Sequence, residues 1–239
     1  MAEDRGAFTA ATGRQLEAAG RDKPRYRRYQ YDLIAPHCGR TILEVGAGLG
    51  EFAEQFDDVD RLVLTDVDPG AVDLMARRFA GRPEVQTRTL ALGVAPELDE
   101  PVDSVVAINV LEHIEDDAGA LRSLATAVQP GGSIVLWVPG YQQLYGEFDR
   151  KVGHVRRYTP STLASAVRRA GLDVELVKPV NLLGGIAWWL TVRRGGSTSP
   201  DSKLVAVFDR FVVPVTRALE RVVRPPFGQS VLCVARVRA

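Results

Sequence analysis

The chain is poor in the residues that cross-link or hold metals. It has two cysteines and three histidines in 239 residues. Cys38 and Cys233 stand far apart, beside or within apolar segments, so reduced thiols of a cytoplasmic protein are expected rather than a disulfide framework. With no histidine or cysteine cluster along the chain, no metal site is expected. Long apolar runs are also missing. The longest, Leu182 to Val192, is about half of the ~20 residues a spanning helix needs, so no transmembrane segment is expected. Met1-Ala-Glu-Asp-Arg5 begins acidic without an apolar core, which predicts no secretory signal. An excess of one charge is lacking as well: 30 Lys and Arg balance 30 Asp and Glu, and no global field selects nucleic acid. From Arg193 to the end, however, nine basic residues face only Asp201, Asp209 and Glu220, which leaves room for a local anionic partner.

What is present fits one α/β domain with length to spare for a cap or insertion. The stretch Ile42-Leu-Glu-Val-Gly-Ala-Gly-Leu-Gly-Glu-Phe-Ala-Glu-Gln-Phe56 reads as strand, tight turn and helix, with Phe52, Ala53 and Phe56 at helical spacing. Gly46, Gly48 and Gly50 suit a backbone that doubles back and lets a ligand approach the main chain. A phosphate-gripping loop would need Lys and then Ser or Thr after the last glycine, where Glu51 and Phe52 stand. A dinucleotide turn has its third glycine one residue later, and Glu44 and Glu51 would repel a pyrophosphate. Two carboxylates suit a ligand with positive charge.

Further along, strands Arg61–Asp66, Val85–Leu90, Val102–Ile108 and Ser133–Val138 alternate with helices over about 70–80 and 118–128, and Pro130-Gly-Gly132 reads as a turn. This alternation implies a mostly parallel sheet. The run ILEVGAGLGEF, the segment VVAINVLEHIEDD and the V-Q-P-G-G before the fifth strand resemble, in order, the motifs of class I S-adenosylmethionine-dependent methyltransferases, with Val128 in place of a leucine. The resemblance implies a Rossmann-like three-layer sandwich, mostly parallel, with Ser230–Ala235 as an antiparallel edge strand and a helical insertion before it. Residues 1–239 then form a single methyltransferase domain: 1–38 an N-terminal helical cap, 40–178 the cofactor-binding core, 179–228 an insertion or lid, and 229–236 the closing strand.

The resemblance places S-adenosylmethionine over Glu44, Gly46, Gly48 and Gly50, with Asn109 and Leu111 against its methionine part. Asp66, at a strand's carboxyl end twenty residues after Gly46, is expected to accept the ribose hydroxyls, with Val67 beside it; Asp68 before Pro69 reads as a helix cap. The acid that often holds the adenine is missing from Thr89-Leu-Ala-Leu-Gly93, which leaves the backbone near Ala91 and Leu92 for that role. Tyr26 and Arg28 fit a family pattern near N-Y-x-R-W, and Arg28 is expected to clamp the cofactor carboxylate. Glu112 and His113 are expected to fix their turn by hydrogen bonds.

The acceptor falls to the chain beyond the fifth strand. Residues 139–160 are rich in aromatic and ionisable side chains, and G-H-x-R-R-Y-T-P-x-x-L resembles a methyltransferase subgroup with a histidine before the next helix. His154 is the candidate general base for a hydroxyl or amine; alternatively, His154 and Arg157 pin the loop. Tyr141, Tyr145 and Tyr158 are candidates to shape the pocket, and Arg157 to pair with an anionic acceptor. In the insertion, Leu204, Val207 or Phe208, Phe211, Val215 and Val222 form an apolar stripe, Lys203, Arg210 and Arg217 recur on another face, and Pro214 should kink or split the helix. A cap with a solvated basic face, a dimer interface, or weak contact with an anionic membrane through Trp188 and Trp189 all fit it. The expectation is O- or N-methylation of a small-molecule acceptor, anionic or hydrophobic, by a monomer or homodimer. The alternatives are a non-catalytic S-adenosylmethionine-binding module and a dinucleotide-dependent oxidoreductase.

Overall fold

The computed structural model describes residues 23–91, 93–193 and 202–238. The N-terminal tail up to residue 22, the polar loop over 194–201 and the adenine contact assigned to Leu92 lie outside the described residues. Seven strands form one sheet in the order β3-β2-β1-β4-β5-β7-β6. They are β1 (Thr41–Val45), β2 (Arg61–Asp66), β3 (Val85–Thr89), β4 (Val102–Ile108), β5 (Val128–Pro139), β6 (Asp173–Val180) and β7 (Ser230–Arg236). The first five run parallel. The reversed strand β7 lies at the β5 end, paired on both sides, so that β6 rather than β7 takes the rim.

Central strands are buried on both faces, and their sequences are therefore nearly continuous apolar runs rather than alternating ones. With side chains alternating along each strand, Leu43, Val105, Ile134 and Leu136 meet Leu121 and Leu124 of α3 (Asp117–Ala125) and Leu163 and Val167 of α5 (Pro160–Arg169). On the other face Ile42, Leu62, Val106 and Trp137 meet Tyr29 and Ile34 of α1 (Pro24–Ile34) and Met75 of α2 (Pro69–Arg78). Asp68 caps α2, accepting the Gly70 N–H at 2.9 Å, as its place before Pro69 implies.

Two local expectations change. The helix after Gly50 shrinks to one 3-10 turn, Ala53–Gln55. A helix returning along five β1 residues needs about eleven residues at ~1.5 Å each, more than the ten between Gly50 and β2, so the chain crosses back in more extended form. Pro130-Gly-Gly132 does not end an element either. It bulges within β5: partners step from Val102 to Ser104 on β4 while β5 advances from Val128 to Ser133, and Gly131 has φ 79°.

The insertion inverts its predicted faces. α7 (Ser202–Val207), a wide π-turn over Phe208–Val212 and α8 (Val213–Glu220) follow one another. The wide turn immediately precedes Pro214, where an ordinary helix would lose a hydrogen bond and clash with the carbonyl of residue 210. Val205, Asp209, Val213 and Thr216 are buried, whereas Leu204, Phe211 and Val215 are 56%, 60% and 57% exposed. The reason is polar: Asp209 accepts the Arg25 and Tyr26 backbone N–H groups at 3.2 and 2.8 Å, and so caps α1, whose own N-cap Lys23 supplies no side-chain bond. Glu220 accepts from the Tyr29 hydroxyl and, at 2.8 Å, from the N–H of Leu182 at the start of α6 (Leu182–Trp188); Arg217 pairs with Asp32. Among the described residues no helix is long and apolar enough to cross a membrane.

Asp209→Ala should lower stability by about 1–3 kcal/mol, read as a lower urea midpoint at unchanged slope. Asp209→Asn, which keeps one acceptor oxygen, should lose less; equal midpoints for all three proteins would remove the cap from the account.

Candidate active site

Parallel strands bring their carboxyl ends to one edge, and the bend after β1 is built there. Gly46, Gly48 and Gly50 have φ of 69°, 60° and 75°, a region costly for any residue with a Cβ. At Gly46 and Gly50 neighbours also fill the space: a Cβ would meet Val110 Cγ2 at 2.6 Å and Phe79 Cε2 at 2.5 Å. At those two positions the bend and the packing alone already exclude a side chain. The bend is tied to β2: the Ala47 N–H donates to Thr65 O at 2.9 Å, and the Gly48 N–H donates to Asp66 Oδ2 at 2.9 Å. Asp66 Oδ1 accepts the Asp68 N–H at 3.0 Å. Each oxygen keeps a lone pair for a ligand hydroxyl, and the half-buried carboxyl is raised in pKa, chiefly by burial. Val67 beside it is exposed, an apolar surface at the strand end.

Glu44, two residues before the bend, is buried with Oε2 unpartnered, and burial pushes its carboxyl up to about 8. A cation beside it would draw that value down again. An orphaned carboxyl oxygen, a carboxylate facing the bend and an exposed valine fit a cationic ligand carrying a ribose. Leu111 is buried and walls a narrow apolar cleft with Leu90, Ala91, Val110 and Gly93, alongside the segment expected to hold adenine. Asn109, directly after β4, is exposed and adopts φ 53°. Tyr141 and Asn181, just beyond β5 and β6, also have positive φ, both 61°. Strain of this kind gathers where a site dictates the backbone.

On α1 the two assigned residues separate. Tyr26 packs edge-on to Trp137 at 6.2 Å and against Phe208, and burial raises its hydroxyl pKa. Arg28 does not reach the bend: it lies on the exposed face, paired with Asp32 at 2.9 Å and over the Tyr31 ring. One residue on a helix is about 100° of rotation, and it is Arg27 that borders a groove with Leu49 and Glu51.

The segment after β5 folds back onto the turn after β4. Tyr158 N–H donates to Pro139 O at 2.9 Å, Tyr141 N–H to Tyr158 O at 2.8 Å, and Val155 N–H to Glu112 O at 2.9 Å. At its centre is Asp149, fully buried in α4 (Glu147–Lys151). Its Oδ1 accepts Arg157 Nε at 2.8 Å, and its Oδ2 accepts Arg157 Nη2 at 3.1 Å and the Gly146 N–H at 2.8 Å. Oδ1 also meets His154 Nδ1 at 2.8 Å. Burial alone would raise the Asp149 pKa; the hydrogen bonds from His154 and Arg157 and the Arg157 charge outweigh it and hold the carboxyl low.

His154 presents its other ring nitrogen to Glu112: Nε2 lies 3.7 Å from Oε1, with the histidine side chain 10% and the glutamate side chain 0% exposed. The His113 ring stands edge-on to that of His154 at 4.8 Å. Glu112 does not fix its turn by side-chain hydrogen bonding as expected, because both carboxylate oxygens are buried without a hydrogen-bond partner. Burial pushes this carboxyl up to about 8; burial and then the neighbouring His154 lower His113 to about 4.

Three acceptor-side assignments are corrected. Arg157 is buried and spent on Asp149, the Gly140 carbonyl and the Trp188 ring, so it pins the loop rather than meeting an anion. Tyr158 is buried, its hydroxyl 3.2 Å from Asp117. Tyr145 donates to His154 O at 2.7 Å and steadies the histidine backbone. Tyr141 is partly exposed, with its hydroxyl on Pro226 O. The fold brings together two of the three histidines, His113 and His154, which the sequence leaves 41 positions apart. Asp149 carried no signal in the sequence beyond its place five residues before His154.

The match to known proteins agrees with this geometry. A family model described as a methyltransferase domain matches residues 9–177. A Mycolicibacterium smegmatis protein named a probable S-adenosylmethionine-dependent methyltransferase is 32% identical over 178 residues, 72% of this chain and 68% of that protein. The ubiquinone biosynthesis O-methyltransferase of Paracidovorax citrulli is 30% identical over 161 residues, 60% of this chain and 67% of that one. Among solved structures, the YcgJ protein of Bacillus subtilis shares the fold with TM-score 0.60 at 17% identity, covering 89% of this chain and 99% of its own. A Rossmann-like sheet with a glycine bend and an acidic second strand end is the architecture of a nucleoside-binding fold. The chain belongs to the methyltransferase-domain family and is an S-adenosylmethionine-dependent methyltransferase.

The buried Glu44 sets a pH dependence. Its folded pKa of about 8 lies above the ordinary 4.5, so between these values the unfolded chain releases a proton that the native chain keeps. Its contribution to stability is full below pH 4.5 and declines until pH 8. Urea unfolding at several pH values should show Glu44→Gln losing less stability than the parent over that window; parallel pH profiles would contradict it.

Proposed function

We propose that the chain transfers a methyl group to a hydroxyl oxygen of a small, largely apolar acceptor, with amine nitrogen as the alternative, and that His154 acts at the acceptor. The observation that carries this reading is the Asp149–His154 pair, which fixes Nδ1 at 2.8 Å and turns Nε2 toward the carboxyl end of β4. An oriented imidazole is of most use where a nucleophile must lose a proton, as a hydroxyl must. The similarity to the Paracidovorax citrulli O-methyltransferase supports oxygen. An apolar acceptor is favoured over an anionic one because Arg157, the cation assigned to an anion, is consumed by Asp149, while Ile186, Trp189 and Leu190 leave exposed apolar surface on the insertion.

Bound S-adenosylmethionine supplies a methyl group already activated on a positively charged sulfur. The chain's task is then alignment and proton handling. Asp66 would hold the ribose, Glu44 would answer the positive charge, and Asn109, set in a left-handed conformation beyond β4, would border the methionine part. The 140–159 segment, closed by Arg157 and Asp149, would limit water at the reacting face.

Two measurements test this. Asp66→Ala should weaken calorimetric affinity for S-adenosylhomocysteine by about 1–3 kcal/mol, and an unchanged affinity would remove the ribose role. His154→Gln should slow methyl transfer to a phenolic acceptor by ~10²-fold or more with unchanged S-adenosylhomocysteine affinity; undiminished turnover would make His154 purely structural.

A further inference from the structure

We propose that Glu112, His113 and His154 form a site for one divalent transition-metal cation, held beside the acceptor. This rests on the reading of His154 as the acceptor-side residue and deepens it: Nε2 would serve as a ligand, and the acceptor hydroxyl would be activated by the cation's charge.

Four observations carry the site. One donor atom from each of Glu112, His113 and His154 lies within 4.8 Å of the others, a group collected from two separate turns. Both Glu112 carboxylate oxygens are fully buried and accept no hydrogen bond, the nearest charged group being His154 Nε2 at 3.7 Å; a carboxylate in that position is expensive unless it is paired or binds a metal. The His154 ring is oriented from behind, Nδ1 on Asp149 at 2.8 Å, leaving Nε2 for the ion. His113 has a hydrogen bond to the Gly153 backbone, and its Nδ1 is the nitrogen turned that way, 3.8 Å from where a Gly153 Cβ would stand. Ligating histidines are characteristically held in this manner, by a carboxylate or a backbone group on the far nitrogen. Asp149 is locked in turn by Arg157 and the Gly146 N–H.

Two imidazoles and one carboxylate suit Zn²⁺, Mn²⁺, Fe²⁺ or Co²⁺ better than Mg²⁺ or Ca²⁺. Ligand atoms ~2.1 Å from a common ion are about 3.4 Å apart in a tetrahedral arrangement, and the Glu112–His154 separation of 3.7 Å is already close. Three protein ligands leave coordination free for an acceptor oxygen. In the transfer the hydroxyl proton passes to water, an oxygen lone pair forms the bond to the methyl carbon as the carbon–sulfur bond breaks, and neutral S-adenosylhomocysteine leaves.

The test is direct binding. The full chain, stripped with EDTA and dialysed, is titrated with CoCl₂ by visible absorption and with ZnCl₂ followed by elemental analysis. One equivalent should bind. Glu112→Gln and His154→Gln should each weaken binding at least 10-fold, Asp149→Asn by about 10–100-fold as an outer partner, and His37→Ala, at the remaining histidine, should leave stoichiometry unchanged. Circular dichroism checks folding of each variant. No bound equivalent in the parent chain, or binding indifferent to Glu112→Gln and His154→Gln, overturns the site. Methyl transfer that survives EDTA yet is lost in His154→Gln would likewise overturn the cation while leaving the transferase reading intact; loss of S-adenosylhomocysteine binding in the parent would instead strike that reading.

Discussion

The acceptor side of this molecule hangs on one buried carboxylate. Asp149 is fully enclosed, and such a charge is tolerated only when its lone pairs are met. A two-point contact from Arg157, the Gly146 N–H and the His154 ring meet them. The stakes are those of any dry polar network: complete, it rigidifies; missing one member, it leaves a charge stranded. Because Asp149 and His154 are five residues apart and Arg157 lies three further on, one carboxylate converts a polar stretch holding only short helical pieces into a fixed arm. The Val155 bond to Glu112 O then delivers that arm onto the turn after β4.

Much of the sheet was legible because buried parallel strands leave a plain mark. β2 and β4 end where their apolar runs end, and the glycine bend and Asp66 fall at strand ends that topology must place together. Asp68 before Pro69 was equally readable as a cap, since capping is local chemistry. Contacts between distant segments were not readable. Glu112 and His154 are 42 positions apart in sequence, and nothing local in either says that they face one another. Arg28 and Arg27 differ by one step on a helix, which periodicity alone could not resolve without knowing which face α1 buries.

The insertion shows how polar pairing can override an apolar stripe. Leu204, Phe211 and Val215 have the spacing of a core-facing surface, yet they point outward. Burying Asp209 satisfies the open N-terminus of α1, and burying Thr216 and seating Glu220 against Tyr29 extends the same seam. The seam meets backbone donors at the start of α1 that the helix cannot satisfy from within. The wide turn before Pro214 lets α7 and α8 continue one after the other along that seam, where a regular turn would clash.

The position of β7 has a consequence for how the chain is made. Among the described strands β6 bonds to the sheet only through β7, and β7, residues 230–236, is the last of the seven in chain order. Until it docks, β5 has a bare flank and β6 has no partner, so the sheet stands two strands short with an open edge of the kind that invites pairing with other chains. Sealing it depends on contacts of very long sequence separation, which form slowly. Deleting residues 230–236 would therefore not trim the protein; it would leave a sticky intermediate in place of a finished fold.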